Sequence, residues 1–268
     1  ALSLIISGIA IPMGGYQLSF LLTCLGPIVG CVFAWMTVWG THIHLAKRRK
    51  REKYIRNMLA NRPAMLFVGG YAFHCWELLG MWAWTPAFMA SCLMNSGVGG
   101  VMAAGIGSYI TASFHITGLL ASFSMGALSD RLGRARVILL LSIISVSCSF
   151  LFGWTMGWPL IIVVCVGLIY AFSSVGDSPV LSAGLTEVTE TTYMGAAFGL
   201  RSLLGYGAGA ISPLVFGVVL DGSNPLEPTF TSWGWAFSVF GVGGMGAIWT
   251  AYRLQREPHH RSSVVRGE

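Results

Sequence analysis

The sequence predicts an all-α membrane protein with several spanning helices, and two features of its composition decide this class. Apolar side chains make up 54% of the 268 residues and charged side chains only 10%, whereas a soluble domain carries about 25% charged residues. So few charges cannot coat a surface that faces water. Glycine is abundant, with 35 residues, and small residues let helices in lipid approach closely. The mean hydropathy of +0.70 agrees with this class.

The hydrophobic pattern divides the chain into eight predicted spanning helices. A helix that crosses the hydrocarbon core needs about 20 mostly apolar residues, and no alternation typical of β-strands competes with this pattern. The breaks between segments contain turn-forming pairs such as Gly14-Gly15 and Asn224-Pro225. The predicted spans are 1–13, 18–39, 64–90, 103–128, 136–157, 159–185, 193–220 and 232–252.

The positions of the basic residues predict the orientation. Of the sixteen Lys and Arg residues, eight lie in the 40–63 loop, three in the 129–136 loop and four in the C-terminal tail, 253–268. Short cytoplasmic loops carry such an excess, so we expect the tail in the cytoplasm. Contact with acidic lipid explains the net charge of +6 without a nucleic-acid partner. The compact loops favour a bacterial inner membrane.

The start of the chain differs from a signal peptide, because Ala1 opens an apolar stretch without a basic region before it. We therefore expect the chain to be cut off upstream. The long basic loop then divides the sequence into two spans at 1–39, the loop at 40–63, six spans at 64–252 and the tail at 253–268.

A motif of glycine, aspartate and arginine stands between the fourth and fifth predicted spans and contains Gly126, Asp130, Arg131, Gly133 and Arg134. It resembles the loop motif of the major facilitator superfamily, G-x-L-(a)-D-R-x-G-R-(K/R), although Ala135 stands where a base is usual and Arg136 follows it. A glycine permits a tight turn between two helices, and the aspartate can accept hydrogen bonds at a neighbouring helix end. The alternative is a basic cytoplasmic loop that happens to contain these residues. All five residues match positions of the family motif.

The resemblance implies a fold and a function. In this superfamily two six-helix halves are joined by a long cytoplasmic loop, and the motif connects the second and third helices of a half. Residues 64–252 would then be the C-terminal half, and residues 1–39 the last two helices of the N-terminal half. The full protein would have twelve helices, so the four missing N-terminal helices are an expected partner of those present.

The resemblance also implies a secondary active transporter, a symporter or antiporter that moves a small solute by alternating access. Its expected partners are that solute and the lipid bilayer. The expected drive is a proton or substrate gradient, with Glu77 and His74 as the candidates for proton coupling, and the sequence contains no P-loop that would indicate ATP as the drive. It contains neither H-E-x-x-H nor G-x-S-x-G, so we expect no enzyme activity, and we expect no cofactor. The alternative is a receptor or assembly scaffold of the same architecture that does not transport.

Ionisable residues inside the third span are the first candidates for the site, because a charge in the membrane interior is costly and is usually functional. Glu77 lies about 13 residues into this span, close to the midplane, and His74 lies on the same face. Aromatic side chains, among them Trp76, surround both. Such a face can stack on a substrate while Glu77 takes up and releases a proton. A structural hydrogen bond from Glu77 to a neighbouring helix is the alternative.

A second set of candidates lies in later spans. Asp177 and Arg201 fall at similar depths in consecutive antiparallel helices, which predicts a charge pair that holds two helices together or gates their movement. The alternative is that Arg201 faces the cavity and attracts an anionic substrate. His115, midway through the fourth span, either belongs to the core or lines the cavity. We expect no metal site, because His259-His260 in the tail lacks further ligands.

Overall fold

The structure is a computed structural model that describes residues 2–40, 59–224 and 231–257. These residues form seven α-helices and no strand, which confirms the all-α prediction. Most of the basic 40–63 loop, the tail beyond residue 257 and with it His259-His260 lie outside the described residues. The helices are α1 (Leu2–Gly40), α2 (Arg62–Asn95), α3 (Gly100–Leu132), α4 (Arg134–Phe152), α5 (Leu160–Val188), α6 (Met194–Ser223) and α7 (Gly234–Arg256).

Five helical segments of the described residues are long and apolar enough to cross a membrane. They are Leu2–Trp39, Gly100–Leu132, Arg134–Thr155, Leu160–Val188 and Met194–Ser223. The helices α2 and α7, which the sequence also predicts as spans, are less hydropathic. Both are rich in tryptophan and glycine, and α2 carries His74 and Glu77.

The first helix turns back on itself at Gly14-Gly15. Gly15 has a φ of 68°, in the left-handed region that glycine adopts without steric cost. The hydroxyl group of Ser19 donates a hydrogen bond of 2.8 Å to Ser7, whereas twelve residues of straight helix would separate them by about 18 Å. The predicted spans 1–13 and 18–39 are therefore two arms of one hairpin. This hairpin and residues 86–113 belong to a first compact unit.

The second compact unit contains α2 up to Thr85, α3 from Phe114 onward and all of α4 to α7. Within it α4 packs against α5 and α7, and α7 packs against α6. The rings of Phe73 and Trp76 on α2 lie over Gly246 and Gly243 of α7. A Cβ atom at either glycine would overlap the ring. Glycine therefore permits the close contact of α2 with α7.

Several helix ends meet on one side of this second unit. The side-chain amide of Asn61 donates to the carbonyl oxygen of Val188 over 2.7 Å, which satisfies an open carbonyl at the end of α5. Arg62 Nε lies 3.0 Å from Glu257 Oε1, and Arg134 Nη2 lies 2.8 Å from Glu187 Oε1. We call this side, formed by the start of α2, the α3–α4 loop and the ends of α5 and α7, the motif end.

Candidate functional site

Glu77 of α2 is enclosed by hydroxyl groups inside the second unit. Its residue surface is only 4% exposed. Ser145 and Ser149 of α4 donate hydrogen bonds to Glu77 Oε1 over 2.5 and 2.7 Å. The Ser149 hydroxyl also shares a hydrogen bond of 2.5 Å with the hydroxyl of Tyr170 on α5. We call Glu77, Ser145, Ser149 and Tyr170 the Glu77 cluster.

The spacing of the α4 serines explains why they reach Glu77. Residues four apart lie on the same face of a helix, so Ser145 and Ser149 point together towards α2. Ser147 lies between them on another face, is exposed, and donates only to the carbonyl oxygen of Ile143 in its own helix. A carboxyl group buried among apolar helices needs such hydrogen-bond partners, because burial without them is costly.

His74 contacts a different neighbour from Glu77. Its Nδ1 atom lies 2.7 Å from Asp177 Oδ1 on α5, and both residues are buried. Asp177 Oδ1 accepts no hydrogen bond from the described residues, so the Nδ1–H bond of His74 does not point at this oxygen. The two groups therefore attract each other as an ion pair when the imidazole is protonated. The ring of Tyr71 packs beside the imidazole, with 5.4 Å between ring centroids.

The structure does not bring Asp177 and Arg201 together as the predicted charge pair. Arg201 Nη2 instead donates to Ser182 Oγ over 2.8 Å, and its Cζ atom lies 3.5 Å from the centroid of the Tyr71 ring. Ser182 precedes the end of α5 by six residues and Arg201 follows the start of α6 by seven. Those two positions match in depth, whereas Asp177 lies about 8 Å deeper along α5.

The remaining candidates have partners elsewhere. His115 of α3 stacks on Trp82 of α2, with 3.6 Å between the ring centroids and 15° between the planes. The indole N–H of Trp76 donates to the carbonyl oxygen of Val239 on α7 over 3.1 Å. Neither contact involves Glu77, so the candidate residues of the second unit do not share one set of partners.

The glycine-aspartate-arginine motif forms a hydrogen-bonded corner between α3 and α4. Gly133 has a φ of 91°, which favours glycine at this turn. Arg134 binds the carboxylates of Asp130 and Glu187, and its Nη1 donates to the hydroxyl of Ser129. Arg131, by contrast, is exposed. One arginine therefore connects both helices of the corner to the end of α5.

The family of the chain follows from comparison with known proteins. The family model described as Major Facilitator Superfamily matches residues 100–268. This chain belongs to the major facilitator superfamily. Among curated proteins, none matches the chain. The chain is thus part of an integral membrane protein of a transporter superfamily, and the predicted resemblance is confirmed.

Several residues that bind the candidate side chains were not predicted from the sequence. Ser145, Ser149 and Tyr170 form the Glu77 cluster, and Ser182 and Glu187 bind arginines. Two signals were present in the sequence. Serines at helical spacing interrupt an apolar span. Glu187 lies between the predicted spans 159–185 and 193–220, in a connection that contains two glutamates and no basic residue.

Proposed function

We propose that this protein is a secondary active transporter that works by alternating access and exchanges protons at buried groups of α2. The observation that carries the proposal is the enclosure of two ionisable residues, His74 and Glu77, each held by a different set of partners. Ionisable residues in the membrane interior are costly and are retained mainly where they move ions or substrates.

The Glu77 cluster can link a proton to helix packing. Two hydroxyl groups donate to the same carboxyl oxygen, an arrangement that stabilises the ionised carboxylate. When the carboxyl group takes up a proton, it gains an O–H donor and its remaining acceptor oxygen carries less negative charge, so the hydrogen bonds from Ser145 and Ser149 weaken or rearrange. Because these serines belong to α4 and Tyr170 to α5, protonation changes the contacts of α2 with both helices.

The His74–Asp177 contact responds to protons in the same way. Protonated imidazole and carboxylate attract each other strongly in a poorly solvated site. Loss of the imidazole proton leaves the Asp177 charge without its counter-charge. Release of that proton would therefore favour a conformation in which α2 and α5 separate or the Asp177 carboxylate meets water.

The orientation belongs to the same proposal. We place the motif end and the C-terminal tail on the cytoplasmic side of a bacterial inner membrane, because fifteen of the sixteen Lys and Arg residues belong to the predicted 40–63 and 129–136 loops and the tail, and short cytoplasmic loops carry such an excess. A cysteine placed in the tail and tested for labelling in intact cells would check the side.

The test of proton coupling uses the protein produced from its own gene, in a deletion strain and then in liposomes. A panel of sugars, organic acids and lipophilic cations identifies a solute whose accumulation follows an imposed pH gradient and collapses with a protonophore. In E77Q this accumulation is expected to be lost, while exchange of labelled for unlabelled solute continues. E190Q is the matched control, because Glu190 is exposed. Full gradient-driven accumulation by E77Q would contradict the proposal.

The alternative of a scaffold that does not transport has one supporting feature, the tight enclosure of the α2 groups. Cys75, which neighbours His74, is 2% exposed. Alternating access requires that this region opens, so a single-cysteine variant retaining Cys75 should react slowly with a small, water-soluble thiol reagent. Absence of reaction from both sides of the membrane would favour the scaffold.

A further inference from the structure

Arg201 is a buried cation whose hydrogen-bonding capacity is largely unused. Its residue surface is 9% exposed. A guanidinium group has five N–H donors, yet among the described residues it meets a single acceptor, the hydroxyl oxygen of Ser182. Within the described part of the chain, the Nε atom is buried without a hydrogen bond, and Arg201 Nη2 alone has a hydrogen-bond acceptor.

The described residues also supply no paired acid for this charge. Their ion pairs involve Arg62, His74 and Arg134 as the cations and leave out Arg201. Asp177 is already engaged by His74. A buried charge without a counter-charge is expensive, so the described residues alone leave this site incomplete.

The surroundings of Arg201 hold the guanidinium plane in a fixed orientation. Its Cζ atom lies 3.5 Å from the centroid of the Tyr71 ring and 5.2 Å from that of Phe198. Aromatic faces attract a cation without neutralising it. Ser182 cannot add a donor for a ligand, because its own hydroxyl group donates to the carbonyl oxygen of Ser178.

A fixed, planar fork of N–H groups is the arrangement that binds carboxylate or phosphate with two parallel hydrogen bonds. Because Nε is enclosed, a ligand that makes two hydrogen bonds would approach the edge formed by Nη1 and Nη2. Arg201 lies seven residues into α6, about 10 Å from the motif end.

We propose that Arg201 binds the anionic group, a carboxylate or a phosphate, of the solute that this protein carries. This inference rests on the proposed transport function and names its substrate class. Tyr71 acts as a positioning residue that keeps the guanidinium plane in place, and Ser182 holds one edge of it.

The experiment measures equilibrium binding to the protein produced from its own gene and purified in detergent. Inorganic phosphate, succinate and benzoate are the probes, titrated by calorimetry at constant ionic strength set with sodium chloride. At least one probe should bind, and R201Q should weaken it roughly 10- to 100-fold, as expected for the loss of a charge-assisted pair of hydrogen bonds. R201K keeps the charge without the planar fork and should bind with intermediate affinity.

The matched control is R253Q. Arg253 also lies over an aromatic ring, with its Cζ atom 5.7 Å from the Trp249 centroid, and it forms no ion pair with the described residues. It is located at the end of α7, so its replacement should leave binding unchanged. If R201Q does not fold, the comparison of R201K with wild type decides the question.

Absence of binding by all three probes would overturn the inference, and would show that an acid from another part of the protein or solvent completes the Arg201 site. Equal binding by wild type and the Arg201 variants would also overturn it. These outcomes are distinct from failure of the transport proposal, which is judged by gradient-driven accumulation in E77Q. A neutral solute carried with protons would refute the anion site alone, whereas anion binding without transport would refute the transport proposal alone.

Discussion

Replacement of Ser149 by alanine tests whether the Glu77 cluster holds α2, α4 and α5 together. The hydroxyl group of Ser149 donates to Glu77 over 2.7 Å and shares a bond of 2.5 Å with Tyr170, and the residue is fully buried. Each side-chain hydrogen bond between membrane helices contributes about 0.6 kcal/mol on average and up to about 1.7. Loss of two such bonds should therefore lower the free energy of unfolding by about 1–3 kcal/mol.

The measurement is unfolding of the purified protein in mixed detergent micelles of increasing denaturing strength, followed by circular dichroism. The control is S147A on the same helix, whose hydroxyl bonds only within α4 and whose removal should change stability by less than about 0.5 kcal/mol. A double-mutant cycle of S149A with Y170F should give a coupling energy of about 0.5–1.7 kcal/mol. Equal stability of S149A and S147A, or zero coupling, would show that the cluster is not formed.

Two further predictions concern packing and are measured as shifts of the thermal unfolding midpoint. In G243A the new methyl group would overlap the Trp76 indole, which should lower the free energy of unfolding by about 1–3 kcal/mol. The control G207A has open space around the added carbon, so its free energy of unfolding should be unchanged or higher by up to about 1 kcal/mol. Equal effects of the two substitutions would refute the close contact of Gly243 with Trp76. H115A removes the ring that stacks on Trp82, which should lower the free energy of unfolding by about 0.5–1.5 kcal/mol. H115F keeps an aromatic ring and should retain most of that free energy. Identical losses in the two variants would argue against the stack.

The positions of the helices were predictable from the sequence to within a few residues, because apolar runs and glycine turns determine them locally. Several helices are longer than the predicted spans: α2 covers Arg62–Asn95 against 64–90, and α3 covers Gly100–Leu132 against 103–128. Hydropathy marks only the part of a helix suited to the hydrocarbon core. Backbone hydrogen bonding continues through polar residues beyond it, which hydropathy does not register.

The partners of the site residues were less predictable, since they depend on how helices rotate against one another. Glu77 and its donors on α4 are separated by about 70 positions along the chain, and the sequence indicates only that each side chain needs a partner. Arg201 shows the same limit, because a difference of about 8 Å in depth decides between Ser182 and Asp177 as its neighbour on α5. Helix ends misjudged by a few residues are enough to reverse that choice.

The arrangement on α5 gives the proposed coupling a mechanical basis. Tyr170 and Asp177 are seven residues apart and therefore lie on one face of α5, where Tyr170 reaches the Glu77 cluster and Asp177 contacts His74. His74 and Glu77 are three residues apart on α2, so one face of α5 meets α2 directly at His74 and through Ser149 of α4 at Glu77. A shift of α2 along α5 cannot alter one contact while preserving the other. In the mechanism we propose, protonation at either group changes the cost of the same helix movement, and this shared movement is what would couple proton binding to access.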